Sequence, residues 1–132
     1  MKYLDEKQRL ERNRKASLLR KKWVLNNRNE YLLRKKRYKR SPRGKFHAYR
    51  YGAKSKGLIF ELDFIAFDKL LKDNCHYCKT FNANGIDRID STNGYISSNV
   101  LPCCKTCNIM KMSHSYESFL RHVSIIYKNF NQ

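Results

Sequence analysis

Five cysteines stand in two short stretches of the chain, CHYC with Cys75 and Cys78, and CCKTC with Cys103, Cys104 and Cys107. A CxxC turn directs two thiolates toward one point, and two such turns complete the tetrahedral set of four sulfurs that zinc prefers. Because Cys104 has the CxxC spacing to Cys107, the predicted ligands are Cys75, Cys78, Cys104 and Cys107. Cys103 is predicted to lie in the interior as a small apolar residue. Four protein ligands leave no open position on the ion, so the predicted zinc is structural.

The segment between the two cysteine pairs carries acids where a β-hairpin is expected. NGIDRIDSTNGY, residues 84–95, alternates polar and apolar residues between two Asn-Gly turn signals. The CNIMK stretch that follows begins a predicted helix, so zinc would clamp a hairpin and a helix at their base. Asp87 on the hairpin can then face Asn108 on the helix. Two oxygen ligands arranged in this way suit Mg²⁺.

The elements around this segment are predicted from apolar spacing. LIFEL, residues 58–62, reads as a short strand, and Asp63 can cap a helix that runs to about Lys72. The last helix, over 116–130, has apolar residues at i, i+3, i+4 and i+7 after the capping residue Ser115. This apolar face is expected to pack on the domain, and the alternative is that it fills a groove of a partner.

The positive charge of the chain is concentrated at its beginning. The net charge is +18, and residues 1–45 hold 18 Lys and Arg against 4 Asp and Glu, a net charge of +14. We therefore divide the chain into a basic, largely helical arm over 1–45, broken by SPRG at 41–44, and a domain over 46–132. A solvated, partly disordered tail is the alternative for the arm. The residues expected to contact phosphates are Arg20, Lys21, Lys22, Arg34, Lys35, Lys36, Arg37 and, in the domain, Lys111.

Charge and hydropathy also limit which partners and which cellular compartment are expected. A basic arm of this kind predicts a polyanion, either nucleic acid or an acidic membrane surface. Aromatic residues interleaved with basic ones over 46–58 suit a nucleic-acid surface, and packing in the interior is the alternative. No stretch approaches the roughly 20 apolar residues of a membrane span, and no secretory signal is visible. An intracellular protein is expected, in which cysteines are metal ligands more often than disulfides.

The stretch from Cys75 to Lys111 resembles the HNH endonuclease family. The residues that carry the resemblance are the first CxxC and GIDRIDSTNGYISSNVLPCCKTCNIMK. More narrowly, the pattern GxDRxDxxxGY…N…CCxxCNxxK is similar to that of small phage, bacterial and organellar HNH proteins. A looser resemblance reaches back through YRYGAKSKGLIFEL and forward into the last helix, whereas residues 1–40 share only their basic character. The resemblance implies an α+β fold, a small zinc-stapled ββα-metal domain of HNH or treble-clef-like type.

The resemblance also implies roles for three residues. Asp87 would be a ligand of a single catalytic Mg²⁺ or Mn²⁺, and Asn108 would be the second ligand. Asn99 would brace the loop between hairpin and helix by hydrogen bonds. Each has an ordinary alternative: Asp87 as a solvated strand residue, Asn99 as a turn former and Asn108 as a helix cap.

Arg88 departs from the family pattern. The general base of the family is usually a histidine directly after the metal-binding acid, and arginine stays protonated at any working pH. A guanidinium can instead hold a phosphate through two hydrogen bonds and stabilise the charge of the transition state. The base would then be His76, Asp90, His114 or a hydroxide formed on the metal.

Two main hypotheses for the function follow. The first is an HNH-type DNA endonuclease with structural zinc and a catalytic Mg²⁺ or Mn²⁺, which nicks one strand, leaves a 5′-phosphate and acts in homing. DNA is expected in preference to RNA, in the cytoplasm of a bacterial or phage-infected cell or in an organelle. The second is a non-catalytic protein of the same fold that binds nucleic acid, such as an RNA-binding component of a ribonucleoprotein. A zinc-bound adaptor for membrane surfaces or proteins leaves Asp87, Asn99 and Asn108 without a role.

Overall fold

The computed structural model describes residues 5–131, which form an α+β structure that is mostly helical with one two-stranded sheet. Two compact units divide the chain between Arg40 and Ser41. The division precedes the predicted boundary after residue 45, because Ser41 caps a helix of the second unit. The predicted break at SPRG is thus the beginning of a helix. No helix among residues 5–131 is long and apolar enough to cross a membrane.

The first unit consists of two basic helices, α1 (Glu6–Asn26) and α2 (Arg28–Arg40). Asp5 begins α1 by accepting a hydrogen bond from the backbone N–H of Gln8, whose side chain bonds back to Asp5 in a capping box. Neither helix buries a residue, and the leucines of both are exposed. The apolar residues recur too irregularly to form one face, so the unit has no core of its own among its described residues.

The second unit begins with α3 (Pro42–Ser55) and α4 (Phe64–Lys72), which pack across a small aromatic core. Phe67 is fully buried at its centre, and the rings of Phe46 and Tyr49 lie 5.4 Å from it in edge-to-face contacts. Asp63 caps α4 as predicted, with a bond from the N–H of Ala66. Of the two alternatives for the aromatic residues over 46–58, packing holds for Tyr49, which lies on α3 against the core.

The sheet is formed by β1 (Ile86–Arg88) and β2 (Val100–Pro102), which pair antiparallel with Asp87 opposite Leu101. Residues 89–99 connect them, so the predicted hairpin has a long loop in place of a two-residue Asn-Gly turn. The predicted strand over 58–62 is reduced to a single parallel bridge between Phe60 and Tyr95.

Two helices complete the second unit, α5 (Lys105–Lys111) and α6 (Tyr116–Phe130). Ser115 caps α6 as predicted, through a bond from the N–H of Ser118. Along the apolar stripe only Phe119 is buried, and Phe130 is 85% exposed. The expectation that this whole face packs on the domain is therefore wrong: the small body of the unit covers only the first turns of the helix.

Candidate metal centre and acidic site

The two CxxC turns bring four sulfurs together. The Sγ atoms of Cys75, Cys78, Cys104 and Cys107 all lie within 4.8 Å of one another, and those of Cys78 and Cys104 are 3.7 Å apart. Zinc–sulfur bonds of about 2.3 Å in a tetrahedron place the sulfurs about 3.8 Å apart. The cluster therefore has the donor set and the dimensions of a four-cysteine zinc site, and it can hold a metal ion such as zinc.

Local hydrogen bonds favour the thiolate form of Cys78, whereas burial raises the pKa of the Cys107 thiol. The backbone N–H of Cys104 donates to Sγ of Cys75 at 3.3 Å, and Sγ of Cys104 caps α5 by accepting from the N–H of Cys107. Thr80 Oγ1 lies 3.1 Å from Sγ of Cys78, and hydrogen bonds from Thr80 lower the pKa of the Cys78 thiol to about 6. Such bonds favour the thiolates that zinc requires.

Cys103 lies outside the cluster. Its side chain is 1% exposed, and its Sγ donates to the backbone carbonyl of Cys104 at 3.4 Å. Burial raises the pKa of this thiol, which keeps it protonated. The structure thus places Cys103 in the interior, where the CxxC spacing of its neighbour predicted it.

Asp87 is held inside the second unit. Its side chain is 8% exposed, and its Oδ2 accepts a hydrogen bond from the Tyr77 hydroxyl at 2.8 Å and lies 3.2 Å from Nζ of Lys111. The Lys111 ammonium is fully buried and also donates to the Arg88 carbonyl at 2.9 Å. The solvated-strand alternative for Asp87 is therefore excluded, and Lys111 cannot contact nucleic acid as predicted because it faces this carboxylate.

Tyr77 was not identified from the sequence as a functional residue. Its position between the two ligands of CHYC is the only signal in the sequence, and that position does not predict the contact, because the neighbouring His76 contacts Tyr116 instead. Burial, and then the hydrogen bond to the Asp87 carboxylate, raise the pKa of its hydroxyl. The phenol therefore serves Asp87 as a donor and cannot act as a base.

Asn108 ties α5 to the strand that carries Asp87. Its Nδ2 donates to the backbone carbonyl of Ile86 at 3.2 Å. Among residues 5–131, nothing donates to Oδ1 of Asn108, and the contacts of the Asp87 carboxylate all use Oδ2. Oδ1 of each side chain thus has no hydrogen-bond donor among the described residues.

Asn99 is buried and braces the loop that connects the two strands. Its Oδ1 accepts from the N–H of Asp90 at 2.9 Å, and its Nδ2 donates to the carbonyls of Asp90 at 3.0 Å and Gly94 at 2.9 Å. Three hydrogen bonds from one side chain close the loop onto its own end.

Arg88 is engaged by the same loop. Its Nη1 donates to the carbonyls of Ser91 at 2.7 Å and Asn93 at 2.8 Å. Its Cζ lies 5.1 Å from the ring centroid of Tyr95, a cation–π contact. The guanidinium thus holds the loop, and contact with a phosphate would use its remaining N–H groups.

The three predicted bases are exposed or bonded to residues other than the acid. His76 Nε2 is 2.9 Å from the Tyr116 hydroxyl, and His114 is exposed in the turn between α5 and α6. Hydrogen bonds from Thr92 lower the pKa of the exposed Asp90 carboxyl, which weakens it as a base. None of the three contacts the side chain of Asp87 among the residues that the structure describes.

The predicted phosphate contacts of the arm are on the surface of the first unit. Two of them lie on aromatic rings: Cζ of Arg34 is 5.7 Å from the Trp23 centroid, and Nζ of Lys35 is 5.2 Å from that of Tyr31. The exposed residues of this set are Arg20, Lys21, Lys22, Arg34, Lys35, Lys36 and Arg37.

The chain has a relative in a giant virus. It is 41% identical over 87 residues to an uncharacterized protein of Acanthamoeba polyphaga mimivirus. The match covers 64% of this chain and 16% of the viral protein, so the chain spans a small part of that relative's length. No protein-family model and no solved structure matches the chain.

Proposed function

We propose that the second unit is a metal-dependent DNA endonuclease of the HNH type, stapled by zinc. The observation that carries the proposal is the hydrogen bond from Asn108 Nδ2 to the Ile86 carbonyl at 3.2 Å. It joins α5 to the backbone of the residue before Asp87, so the helix that carries Asn108 is tied to the strand that carries Asp87. The four-cysteine cluster lies at the base of the same strands and helix. These elements follow one another as strand, strand and helix, which is their order in a ββα-metal unit.

In this proposal Asp87 and Asn108 would hold Mg²⁺ or Mn²⁺ through their free Oδ1 atoms. When bound, the ion would stabilise charge on the phosphate and lower the pKa of a coordinated water. Tyr77 fixes the Asp87 carboxylate from one side, and Asn99 keeps the adjacent loop in shape. The Lys111 ammonium next to Asp87 would repel a second cation, so weak metal binding in the absence of substrate is expected.

The basic first unit would supply most of the affinity for DNA. Its helices carry exposed Lys and Arg on every side, and such contacts are made to backbone phosphates without reference to sequence. Each phosphate neutralised releases counterions, so binding should weaken steeply as salt rises. A single active site cuts one strand, and a monomer should therefore nick.

The second candidate is a protein of the same fold that binds DNA or RNA without cleaving it. The observation that favours it is that side chains that could take part in catalysis are already engaged in other hydrogen bonds. Asp90 is hydrogen-bonded by Thr92, His76 is bonded to Tyr116, and Arg88 holds the loop. A water near Asp87 could then lose its proton only through coordination to a bound metal ion.

A plasmid nicking assay separates the two candidates. Zinc-loaded protein is incubated with supercoiled plasmid, with Mg²⁺ or Mn²⁺ or without added divalent ion. Asp87→Asn removes the proposed ligand while retaining its shape, and Asp68→Asn on α4, whose acid is paired with Lys72 on the surface, is the matched control. Open circles that require the divalent ion and Asp87, and that persist in the control, support the nuclease.

The opposite outcome is also informative. Salt-sensitive binding of the plasmid with no nicking under any of these conditions would support the binding protein. Nicking that persists in Asp87→Asn would show that the activity resides elsewhere, or in a contaminant, and would overturn the assignment of this site.

A further inference from the structure

A groove of approximately 370 Å³ runs between α3, the residues before β1 and α5. Lys45 lines it from α3, Gly85 from the approach to β1, and Lys105 and Asn108 from α5. The charged side chains that line it, among the residues that the structure describes, are the two lysines. A groove with positive charge and no carboxylate on its walls favours an anionic occupant.

Lys45 is held at the wall with part of its hydrogen-bonding capacity unused. Its Nζ donates to the backbone carbonyl of Asn84 at 2.8 Å and to the side-chain oxygen of the same residue. An ammonium has three donors, so one remains. Partial burial lowers the pKa of this group, which reflects the loss of water around it.

Lys105 stands on the other side of the groove. It is the first residue of α5 and is exposed, and it forms no ion pair with any residue between 5 and 131. The cap of α5 is the sulfur of Cys104, so a bound zinc would keep the base of Lys105 in place. The backbone of Lys105 is therefore fixed at the start of α5, while its ammonium has no ion-pair partner among the described residues.

Asn108 connects this groove to the proposed active site, since the same side chain lines the groove and bonds to β1 beside Asp87. We infer that the groove holds the sugar–phosphate backbone of the bound strand next to the scissile bond, with Lys45 and Lys105 each contacting one phosphate. This inference rests on the proposed function and adds to it the path of the strand across the second unit.

The test measures the salt dependence of binding. Fluorescence anisotropy of a labelled duplex of about 30 base pairs is recorded with zinc-loaded full-length protein between 50 and 200 mM NaCl, without added Mg²⁺ or Mn²⁺. Each phosphate contact contributes about 0.9 to the slope of log K against log salt. Lys45→Gln/Lys105→Gln should lower the magnitude of that slope by about 1.8.

The matched control is Lys69→Gln/Lys128→Gln, which removes the same charge from exposed positions on α4 and α6 that do not line the groove. Its slope should stay nearer that of the unmodified protein. Lys45→Arg/Lys105→Arg keeps both charges and should restore the slope, which separates loss of contact from loss of folding. Equal slopes for the groove variant and the control would overturn the inference.

Failure of the groove and failure of the proposed function are distinguishable. If the slope does not respond but Asp87-dependent nicking is present, the strand follows another path to a real nuclease site. If the slope responds but no nicking occurs, the groove is a backbone-binding site of a protein that does not cleave.

Discussion

The Lys111 ammonium lies 3.2 Å from the Asp87 carboxylate, with side chains 0% and 8% exposed. The pair connects the end of α5 to the middle of β1, and α5 carries Cys107 of the four-cysteine cluster. The negative charge of the Asp87 carboxylate is thus already paired with a positive charge from within the fold. Any divalent ion at this carboxylate would bind beside a buried positive charge.

Removing the lysine alone should destabilise the second unit. Lys111→Met leaves the buried Asp87 carboxylate with one fewer partner, and breaking a buried pair from one side costs about 3–5 kcal/mol. The double variant Asp87→Asn/Lys111→Met removes both charges and should recover part of that loss. Urea unfolding of zinc-loaded protein, followed by near-UV circular dichroism of its tyrosines, measures both values.

Lys128→Met is the control for this measurement, because Lys128 is exposed on α6. It should change the free energy of unfolding by less than about 0.5 kcal/mol. A Lys111→Met protein as stable as the unmodified one would show that the pair is not formed in solution.

Of the adjacent residues Cys103 and Cys104, only Cys104 should be required for metal binding by the four-cysteine cluster. Cys104→Ala removes one of four sulfur ligands, whereas Cys103→Ala removes only a buried thiol that bonds a carbonyl. Cobalt(II) titration should give the absorption of a tetrahedral four-thiolate site in unmodified protein and in Cys103→Ala. In Cys104→Ala that spectrum should change or disappear, and the helices of the second unit should lose structure with it.

A result in which Cys103→Ala loses the cobalt spectrum and Cys104→Ala retains it would reverse the ligand assignment. Removal of zinc by a chelator from the unmodified protein should have the same effect on the second unit as Cys104→Ala. The helices of the first unit contain no member of the cluster and should be unaffected.

Arg88 should matter to the stability of the loop as well as to any activity. Arg88→Ala removes two hydrogen bonds from a charged donor to the carbonyls of Ser91 and Asn93. Bonds of this type contribute about 1.5–3 kcal/mol each when buried, and partial exposure here reduces the expected total to about 1–3 kcal/mol. Arg88→Lys should be intermediate, because an ammonium lacks the planar group that lies on Tyr95.

Thermal unfolding of these variants separates the two roles of Arg88. Arg121→Ala, an exposed arginine on α6, is the control and should leave the midpoint unchanged. Loss of nicking in Arg88→Ala with no change in the midpoint would mean that the guanidinium acts on substrate and not on the loop.

Asp90 should remain ionised to unusually low pH. The hydrogen bonds from the N–H and hydroxyl of Thr92 lower its pKa below the ordinary value of about 3.9. A depressed folded pKa stabilises the native state above that ordinary value, and the contribution is lost as the pH falls through the folded pKa. The carboxyl ¹³C shift of Asp90 should therefore titrate below about 3.9, and Thr92→Val should raise the midpoint.

Cobalt absorbance in the same samples shows over which pH range the metal site stays loaded. An Asp90 midpoint above the ordinary value would restore this residue as a candidate base. A midpoint below it would remove Asp90 from the candidate bases of the proposed nuclease.

Local features of the chain were predictable because they depend on nearest neighbours. The CxxC spacing predicted the four-cysteine cluster that can hold zinc, and capping residues predicted the starts of α4 at Asp63 and α6 at Ser115. The CxxC turns and caps are each read within a few residues, whereas the α+β class was expected from the resemblance of the motif.

The tertiary structure decided what each predicted residue contacts. Tyr49 packs in the core, and Lys111 pairs with Asp87 instead of contacting a phosphate. Most of the apolar residues on α6 are exposed. The sequence by itself determined the four-cysteine cluster and the starts of α4 and α6, because turn and cap geometry is local. It could not determine these pairings, because a buried charge or an apolar face is satisfied by whichever distant element the fold brings against it.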